Sequence, residues 1–170
     1  MIVMQLPNIK GDCEITGYED WIVVDSLSWE ITREEKESGK QGTRDINLGV
    51  AELPALSMNK SMDKASVKLM QQSIAGGALG GKEGKAKIEC LATSGTTSTY
   101  KCFLRYVLER PIIKSWSIDA SDDDRPTESV SILYNKIYMT YFATADGESY
   151  DRFDGAGWDV VKGADWPEPS

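Results

Sequence analysis

Apolar and polar residues alternate along most of this chain, and a repeat of two residues is the pattern of a β-strand that buries one face. Residues 85–92 and 100–109 alternate in this way, and the turn-forming residues 94–98 lie between them. These two segments are therefore predicted to form an antiparallel hairpin. Residues 21–32 and 112–119 alternate as well. The pattern predicts a mainly β fold.

Residues 21–32 are predicted to form one continuous strand with two different faces. Trp21, Leu27 and Trp29 share the face that is expected to pack in the core. The opposite face, which is expected to point outward from Ser26 onward, comprises Ile22, Val24, Ser26, Ser28 and Glu30.

The parity of the apolar residues changes within residues 128–142. Ile132 and Tyr134 share one face of the predicted strand, whereas Ile137 has the opposite parity. Either a β-bulge near residues 135–136 restores one apolar face, or the strand is buried on both faces, as in a closed barrel or an interface. With the other strands, this pattern predicts a closed or nearly closed antiparallel β-barrel of two packed sheets.

One segment departs from the strand pattern. Residues 63–75 carry Val67, Met70 and Ile74 at helical spacing, Asp63 is a suitable N-cap, and two glycines follow the segment. We predict one short helix that flanks the barrel, with its apolar stripe buried in the core.

The composition limits the functions that this chain can have. Its 170 residues suffice for one domain, residues 1–170, and the net charge of −8 argues against binding to nucleic acid. The sequence has no histidine, which excludes His-based nucleophile activation and His-ligated zinc. The three cysteines Cys13, Cys90 and Cys102 form no C-x-x-C pair and do not indicate a zinc site or a disulfide framework.

Three motifs that could carry chemistry fail on closer inspection. The glycine-rich residues 76–82 follow a predicted helix rather than a strand and lack the Ser or Thr of a phosphate loop. Residues 122–124 lack the ligand spacing of a calcium loop. Glu34, Glu35 and Glu37 lie in the most polar stretch of the chain, where nothing apolar would raise a carboxyl pKa. We therefore predict no enzyme activity, and no catalytic, cofactor or metal site.

Two segments have no evident place in a compact core. Residues 33–49 are polar and of mixed charge, and loops of this length usually have a function or are simply solvated. We interpret them as a long projecting arm. The C-terminal tail, residues 155–170, contains Trp158 and Trp166, and two tryptophans favour docking of the tail over disorder.

The sequence also bears on location. No run of about 18 apolar residues is present, and the first residues lack a basic region and a cleavage site. We expect a protein that is not inserted into a membrane, that is cytoplasmic before assembly, and that is exported, if at all, without a signal peptide.

Three groups of residues occur in an order and spacing that resemble one known family. They are Met62, Asp63, Ser66 and Leu69 in the predicted helix, Asp124, Arg125, Pro126 and Glu128 before the last long strand, and Gly157 and Trp158 near the end. With Ser28 and Trp29 before the long loop, they resemble the haemolysin-coregulated protein (Hcp) family, the inner-tube proteins of bacterial type VI secretion systems. The resemblance covers about residues 9–163.

The resemblance implies a β-barrel subunit without catalysis. Family members form hexameric rings, and the rings stack into a tube inside a contractile sheath that carries secreted effectors to the extracellular space or a target cell. A VgrG-type spike is an expected further partner, and the family implies no cofactor.

The resemblance also implies roles for particular residues. The arm, residues 33–49, would contact neighbouring subunits and the adjacent ring. Its candidate contact residues are Gly39, Gly42, Arg44, Asp45, Ile46 and Leu48. Because the early strand contributes to the pore wall in the family, its outward residues Ser26, Ser28 and Glu30 are candidates for the lumen.

Two other functions remain compatible with the sequence. A phage or phage-derived tail-tube protein would share the fold and the ring. A small-ligand-binding β-barrel is the alternative from a different class, and a monomer in solution would favour it.

Overall fold

The computed structural model describes residues 1–36, 47–93, 99–122 and 124–169. One helix, one short 3-10 turn and thirteen strands make up this part of the chain. In chain order they are β1 (Ile2–Gln5), β2 (Ile22–Val24), β3 (Ser26–Ser28), β4 (Thr32–Lys36), β5 (Asn47–Glu52), β6 (Leu56–Ser61), α1 (Ser66–Ala75), the 3-10 turn (Gly81–Glu83), β7 (Lys85–Thr93), β8 (Tyr100–Glu109), β9 (Ile112–Asp119), β10 (Thr127–Leu133), β11 (Lys136–Ala143), β12 (Asp151–Asp159) and β13 (Ala164–Asp165).

The strands form three antiparallel sheets. A seven-stranded sheet has the order β13-β12-β11-β8-β7-β1-β2, and a four-stranded sheet has the order β3-β6-β10-β9. Strands β4 and β5 form a separate two-stranded sheet. The predicted hairpin of β7 and β8 is confirmed, with Ala86 opposite Leu108 and Thr93 opposite Tyr100.

The main apolar core lies between the two larger sheets. Ile88 and Leu108 enter it from the seven-stranded sheet, and Met58 and Val130 enter it from the four-stranded sheet. Leu69 of α1 is fully buried in the same cluster. The helix therefore contributes to the core through Leu69, which was not among the residues of the predicted apolar stripe.

The mainly β fold with two packed sheets is confirmed, but the closed barrel is not. In the described part of the chain, each sheet has two different end strands, β13 and β2 in the larger one and β3 and β9 in the smaller one. The chain passes between the sheets through connections of one or two residues from β2 to β3, from β8 to β9 and from β10 to β11. Such connections interrupt the hydrogen-bond ladder instead of carrying it around a barrel.

The prediction of one continuous strand at residues 21–32 is wrong. Strand β2 belongs to the seven-stranded sheet and β3 to the four-stranded sheet, and the chain crosses from one to the other at Asp25. This crossing changes which parity faces inward, so that Ile22 and Val24 lie in the main core together with Leu27. Trp21, on the other face of the larger sheet, packs against a second, smaller apolar cluster, which comprises Val3, Cys13 and Leu91.

The parity change within residues 128–142 has a similar cause. Strands β10 and β11 lie in different sheets, with Tyr134 and Asn135 between them. Neither the predicted bulge near residues 135–136 nor the alternative of one strand buried on both faces is correct, since a change of sheet brings both Ile132 and Ile137 into the main core.

The helix is shorter than predicted, and the face that it buries is different. Residues Ser66–Ala75 are helical, and Gly76, with φ of 67°, ends the helix by donating its N–H to Gln72 O. The predicted apolar stripe of Val67, Met70 and Ile74 is not in the core, and these residues are 63 %, 38 % and 78 % exposed.

Part of the predicted arm forms a hairpin. Strands β4 and β5 pair antiparallel, with Thr32 opposite Glu52 and Arg33 opposite Ala51. Residues 37–46 lie outside the described residues, and so do the predicted contact residues Gly39, Gly42, Arg44, Asp45 and Ile46. Leu48 lies in β5.

Candidate assembly surface

One face of the four-stranded sheet is covered by small polar side chains. The strand register aligns Ser26, Asn59, Ser129 and Ser117 in one row across all four strands. A second row comprises Ser28, Ser57, Ser131 and Ser115, and a third comprises Ser61, Thr127 and Asp119. We call these eleven residues the serine face. In these three rows, Asp119 is the single charged residue.

Hydrogen bonds connect the side chains of the serine face to one another. Asn59 Nδ2 donates to Ser26 Oγ at 3.0 Å, and Ser129 Oγ donates to Asn59 Oδ1 at 2.6 Å. The hydroxyls of Ser57 and Ser131 lie 3.2 Å apart and share a hydrogen bond. The result is a hydrophilic, nearly uncharged wall of short side chains.

Two of the three predicted lumen residues belong to this face. Ser26 and Ser28 lie on β3 at its edge, and both are exposed. Glu30 is also exposed but lies beyond the end of β3, outside the paired rows. Most of the serine face escaped the sequence analysis, although the alternation of Ser115 and Ser117 with apolar neighbours was a usable signal.

On the opposite side of the same sheet, Lys60 and Glu128 form a buried ion pair. Lys60 Nζ lies 2.7 Å from Glu128 Oε2 and 2.8 Å from Asp63 Oδ1. It also donates to Ser61 O at 2.8 Å. Because a buried charge is costly unless it is paired and hydrogen-bonded, this set of contacts compensates the burial of the ammonium group.

The ion pair joins the two longest family-motif segments. Ser66 Oγ donates to Glu128 Oε2 at 2.9 Å, and Asp63 Oδ1 accepts the N–H of Ala65 at 2.9 Å. The N-cap is Ala65 rather than the predicted Asp63, and it makes no side-chain capping hydrogen bond. The backbone N–H of Met62 donates to Pro126 O at 2.8 Å. These contacts fix the start of α1 against β10.

The remaining motif residues have different surroundings. Leu69 is in the main core, Asp124 and Arg125 are exposed, and Gly157 and Trp158 lie on β12, in the other sheet. Lys60, which organises the buried cluster, was missed in the sequence. The signal that could have identified it is its position two residues after the buried Met58 in an alternating strand, which places Lys60 on the same buried face.

The C-terminal segment docks on the outer face of the seven-stranded sheet. The rings of Trp166 and Tyr138 meet edge to face with centroids 6.3 Å apart, and the N–H of Trp166 donates to Gly157 O at 3.0 Å. A Cβ atom at Gly157 would collide with the Tyr138 ring and would lie 2.7 Å from Trp166 O. Glycine at this position therefore allows the tail to pack, and the expected docking of Trp166 is confirmed.

The segment between β3 and β4 borders an apolar groove of about 410 Å³. Its lining includes Trp29, Ile31, Leu53, Met139, Trp158 and Asp165. The indole N–H of Trp29 donates to Tyr134 Oη at 2.8 Å, and the Tyr134 hydroxyl donates to Pro54 O at 3.1 Å. Burial raises the pKa of Tyr134 to about 12, so the phenol stays a neutral donor that links Trp29 to the backbone of Pro54.

Comparison with known protein families agrees with this architecture. The family model described as "Type VI secretion system effector, Hcp" matches residues 3–141. The match includes both motif segments that meet at the buried ion pair. The chain belongs to the Hcp family. Hcp proteins are structural tube proteins of type VI secretion.

Several solved structures share the Hcp fold with this chain. A type six secretion system protein has 21 % sequence identity and a TM-score of 0.80, over 97 % of this chain and 98 % of its own. Hcp1 from Salmonella typhimurium has 17 % identity and a TM-score of 0.75, over 97 % of each chain. The secreted protein Hcp3 from Pseudomonas aeruginosa has 20 % identity and a TM-score of 0.57, over 91 % of this chain and 99 % of its own. No curated protein sequence matches the chain.

The described residues also bear on membrane and metal sites. They contain no helix that is both long and apolar enough to cross a bilayer. Within the same ranges, no three Cys, Asp or Glu side chains are grouped as metal ligands.

Proposed function

We propose that this Hcp chain forms hexameric rings that stack into the inner tube of a type VI secretion system, with the serine face lining the lumen. The serine face is the observation that carries the proposal. An ordinary solvent-exposed face of a β-sheet usually carries charged residues of both signs. A wall of short, nearly uncharged hydrophilic side chains suits a conduit through which other proteins pass.

The free edges of the four-stranded sheet support ring closure. Its end strands are β3, with three residues, and β9, with eight, and the unpaired backbone groups of an edge strand can pair with another chain. Strand direction alternates across β3, β6, β10 and β9, so that β9 of one copy would run antiparallel to β3 of the next. An even number of strands in each copy lets a ring of copies remain antiparallel throughout.

The size of such a wall is sufficient for a conduit. Barrels of about 16–18 strands already enclose an aqueous channel. Four strands from each of six copies exceed this number, and the larger circumference gives a wider lumen. In this arrangement Ser26 and Ser28 lie at a subunit boundary in the lumen wall, with Glu30 at its rim.

The arm, residues 33–49, would supply contacts between subunits and between rings, in addition to the strand pairing in the lumen wall. Strands β4 and β5 form a two-stranded sheet separate from the two larger sheets, and residues 37–46 lie between them in the sequence, outside the described residues. We assign Gly39, Gly42, Arg44, Asp45, Ile46 and Leu48 to contacts with the neighbouring subunit and the adjacent ring. The outside of the tube would face a contractile sheath, its end would bind a VgrG-type spike, and effectors would travel in the lumen out of the cell without a signal peptide.

The decisive experiment is the state of the purified chain in solution. Light scattering with negative-stain imaging should show rings of about six copies, whereas a monomer of 18.8 kDa at all concentrations rejects the ring. Ser57→Cys tests the lumen. In stacked rings it should react with a small maleimide and resist a large polymer-linked maleimide, while Glu14→Cys, an exposed position outside the serine face, should react with both.

Two alternatives have distinct outcomes. A small-ligand-binding protein is favoured by the apolar groove, and it would be monomeric with a ligand that the groove retains during purification. A phage-derived tail-tube protein would form the same rings but would not depend on a type VI sheath for release from cells.

A further inference from the structure

We propose that the exposed apolar face of α1 in one copy binds in the apolar groove of the neighbouring copy in the ring. This inference rests on the proposed ring and specifies one of its contacts. It makes the contact heterologous, because two different surfaces of the same chain meet, as any closed ring of more than two copies requires.

The first surface is the helix face that points away from the core. Val67, Met70 and Ile74 occupy positions i, i+3 and i+7 and are 63 %, 38 % and 78 % exposed. This spacing is that of an amphipathic helix that binds in a groove. Here the polar residue Ser66, together with Leu69, faces the protein interior, and the apolar residues face outward. The helix is thus reversed relative to an ordinary surface helix.

The second surface is the groove of about 410 Å³. Three of its apolar lining residues remain well exposed, namely Ile31 at 52 %, Met139 at 40 % and Trp158 at 37 %. Its floor is formed by Ile137, which belongs to the main core. The groove therefore offers a concave apolar surface to a convex apolar partner.

The two surfaces lie at opposite edges of the four-stranded sheet. Helix α1 packs beside β9, and the N–H of Leu79 just after the helix donates to Pro111 O just before β9. The groove begins at Trp29, immediately after β3. If β9 of one copy adjoins β3 of the next, the helix of the first copy comes beside the groove of the second.

The two surfaces also lie at the same end of the sheet. The helix ends near Pro111, and Ile112 is paired with Leu133. Ser28, next to the groove, is paired with Ser57 of β6. The residue before Ser57 is Leu56, which pairs with Ile132 near the C-terminal end of β10. The C-terminal half of the helix and the groove are therefore at similar heights along the strands.

The charges around the two surfaces are complementary. Helix α1 carries one charged side chain, Lys68, since Lys64 precedes the helix and pairs with Asp12 and Asp20 of its own chain. The groove has one acidic and one basic residue in its lining, Asp165 and Arg33, and the exposed Glu52 and Asp154 lie within two residues of lining positions. Attraction between Lys68 and the acidic side chains at the groove favours this contact between copies.

Single substitutions on the helix test the contact. Val67→Glu and Ile74→Glu alter exposed positions and introduce a good helix former, so both variants should fold as the wild type does. Each should raise the concentration at which rings form by about tenfold or more, because apolar contact is lost and a negative charge meets the acidic rim. Val161→Glu is the matched control, since Val161 is 73 % exposed in a turn outside both surfaces, and it should leave ring formation unchanged.

A mixing experiment tests whether the two surfaces meet each other. Ile74→Glu places a charge on the apolar helix face, and Ile31→Glu places a charge in the apolar groove. Each variant alone should therefore be largely monomeric at concentrations where the wild type is hexameric. A mixture retains one intact helix and one intact groove, and it should form dimers that neither variant forms alone. Oxidation of mixed Ile74→Cys and Met139→Cys chains should cross-link them, with each variant alone as the control.

The outcomes separate this inference from the ring itself. The helix contact is wrong, and the ring stands, if the wild type and Ile74→Glu form rings equally well and the mixed Ile74→Cys and Met139→Cys chains do not cross-link. If the wild type is monomeric, both fail. If the apolar dye 1-anilinonaphthalene-8-sulfonate binds the groove as strongly in rings as in the Ile74→Glu monomer, the groove is open in the ring and the inference is wrong.

Discussion

Lys60 Nζ and Glu128 Oε2 lie 2.7 Å apart, and each of these residues exposes only 1 % of its surface. The pair joins strands β6 and β10 at the point where α1 begins. Two sequence segments that are 68 residues apart are therefore held together by one pair of opposite charges in the interior. A pair of this kind stabilises mainly by preventing the cost of an isolated buried charge.

Removal of one partner should destabilise the protein much more than removal of both. Lys60→Met leaves Glu128 buried without its counter-charge, and we expect a loss of about 3–5 kcal/mol in the free energy of unfolding. The double variant Lys60→Met with Glu128→Leu should recover a large part of that loss. Urea unfolding followed by circular dichroism measures both values.

An exposed pair provides the control for this comparison. Lys10 and Asp20 also lie 2.7 Å apart, but their side chains are 75 % and 44 % exposed, so Lys10→Met should cost about 1 kcal/mol or less. Equal costs for Lys60→Met and Lys10→Met would contradict the role assigned to the buried pair.

Gly157→Ala should loosen the C-terminal segment. The added methyl group would meet the Tyr138 ring and Trp166 O, and overpacking of this kind costs about 1–3 kcal/mol. Faster amide exchange at Trp166 and earlier proteolysis after Asp159 are the expected readouts. Ala156→Ser, at the exposed neighbouring position, should change neither, and an unchanged Trp166 in Gly157→Ala would refute the packing argument.

The raised pKa of Tyr134 predicts that the free energy of unfolding decreases at alkaline pH. Burial raises the pKa of its phenol from 10.0 to about 12, so above pH 10 the unfolded chain releases a proton that the folded state retains. The stabilisation is fully present below pH 10 and is lost as the pH rises towards 12. Tyr134→Phe should be less stable than wild type at pH 8, by about 1–2 kcal/mol for the lost hydrogen bonds.

The same variant should lose less of its stability between pH 10 and 12 than the wild type does. Urea midpoints at pH 8, 10 and 11 measure this difference. Tyr141→Phe, on an exposed strand position, is the control. A Tyr134→Phe variant with the wild-type pH profile would show that another group causes the alkaline loss.

Deletion of residues 39–45 should separate folding from assembly. The deleted residues lie between β4 and β5 and contribute nothing to the described core, so the thermal midpoint should stay within a few degrees of the wild type. Ring stacking and secretion should be strongly reduced. Unfolding of the variant, or normal stacking and export, would each show that the arm has been assigned wrongly.

The net charge of −8 predicts a salt dependence of stacking. Six copies in a ring carry six times this charge, and rings that approach within about 8 Å repel each other at physiological salt. Sedimentation at 50 mM and 500 mM NaCl should show longer stacks at the higher salt. Stacks that lengthen at the lower salt would contradict this prediction.

The sequence predicted the strand content and the hairpin well, because alternation along a strand reports directly on one buried face. It failed where the chain changes sheet. At Asp25 and again at Tyr134 and Asn135, a connection of one or two residues reverses which parity is buried. Periodicity contains no information about such a crossing, and so a bulge and a continuous strand were predicted instead.

The helix shows a different limit. Its apolar residues Val67, Met70 and Ile74 were assigned to the core because apolar stripes on short helices are usually buried in the same chain. The contacts that hold α1 are instead Leu69 and the polar cluster around Lys60. A single sequence does not distinguish a stripe that faces the chain's own core from one that faces another molecule.

Five of the eleven side chains of the serine face hydrogen-bond to one another, in the run from Ser26 through Asn59 to Ser129 and in the pair of Ser57 and Ser131. A surface of short hydroxyl and amide side chains with one charge among them leaves few strong attachment points for a passing polypeptide. In a tube with such a lining, cargo of varied sequence would move with little friction, and its release at the far end would need no energy source of its own.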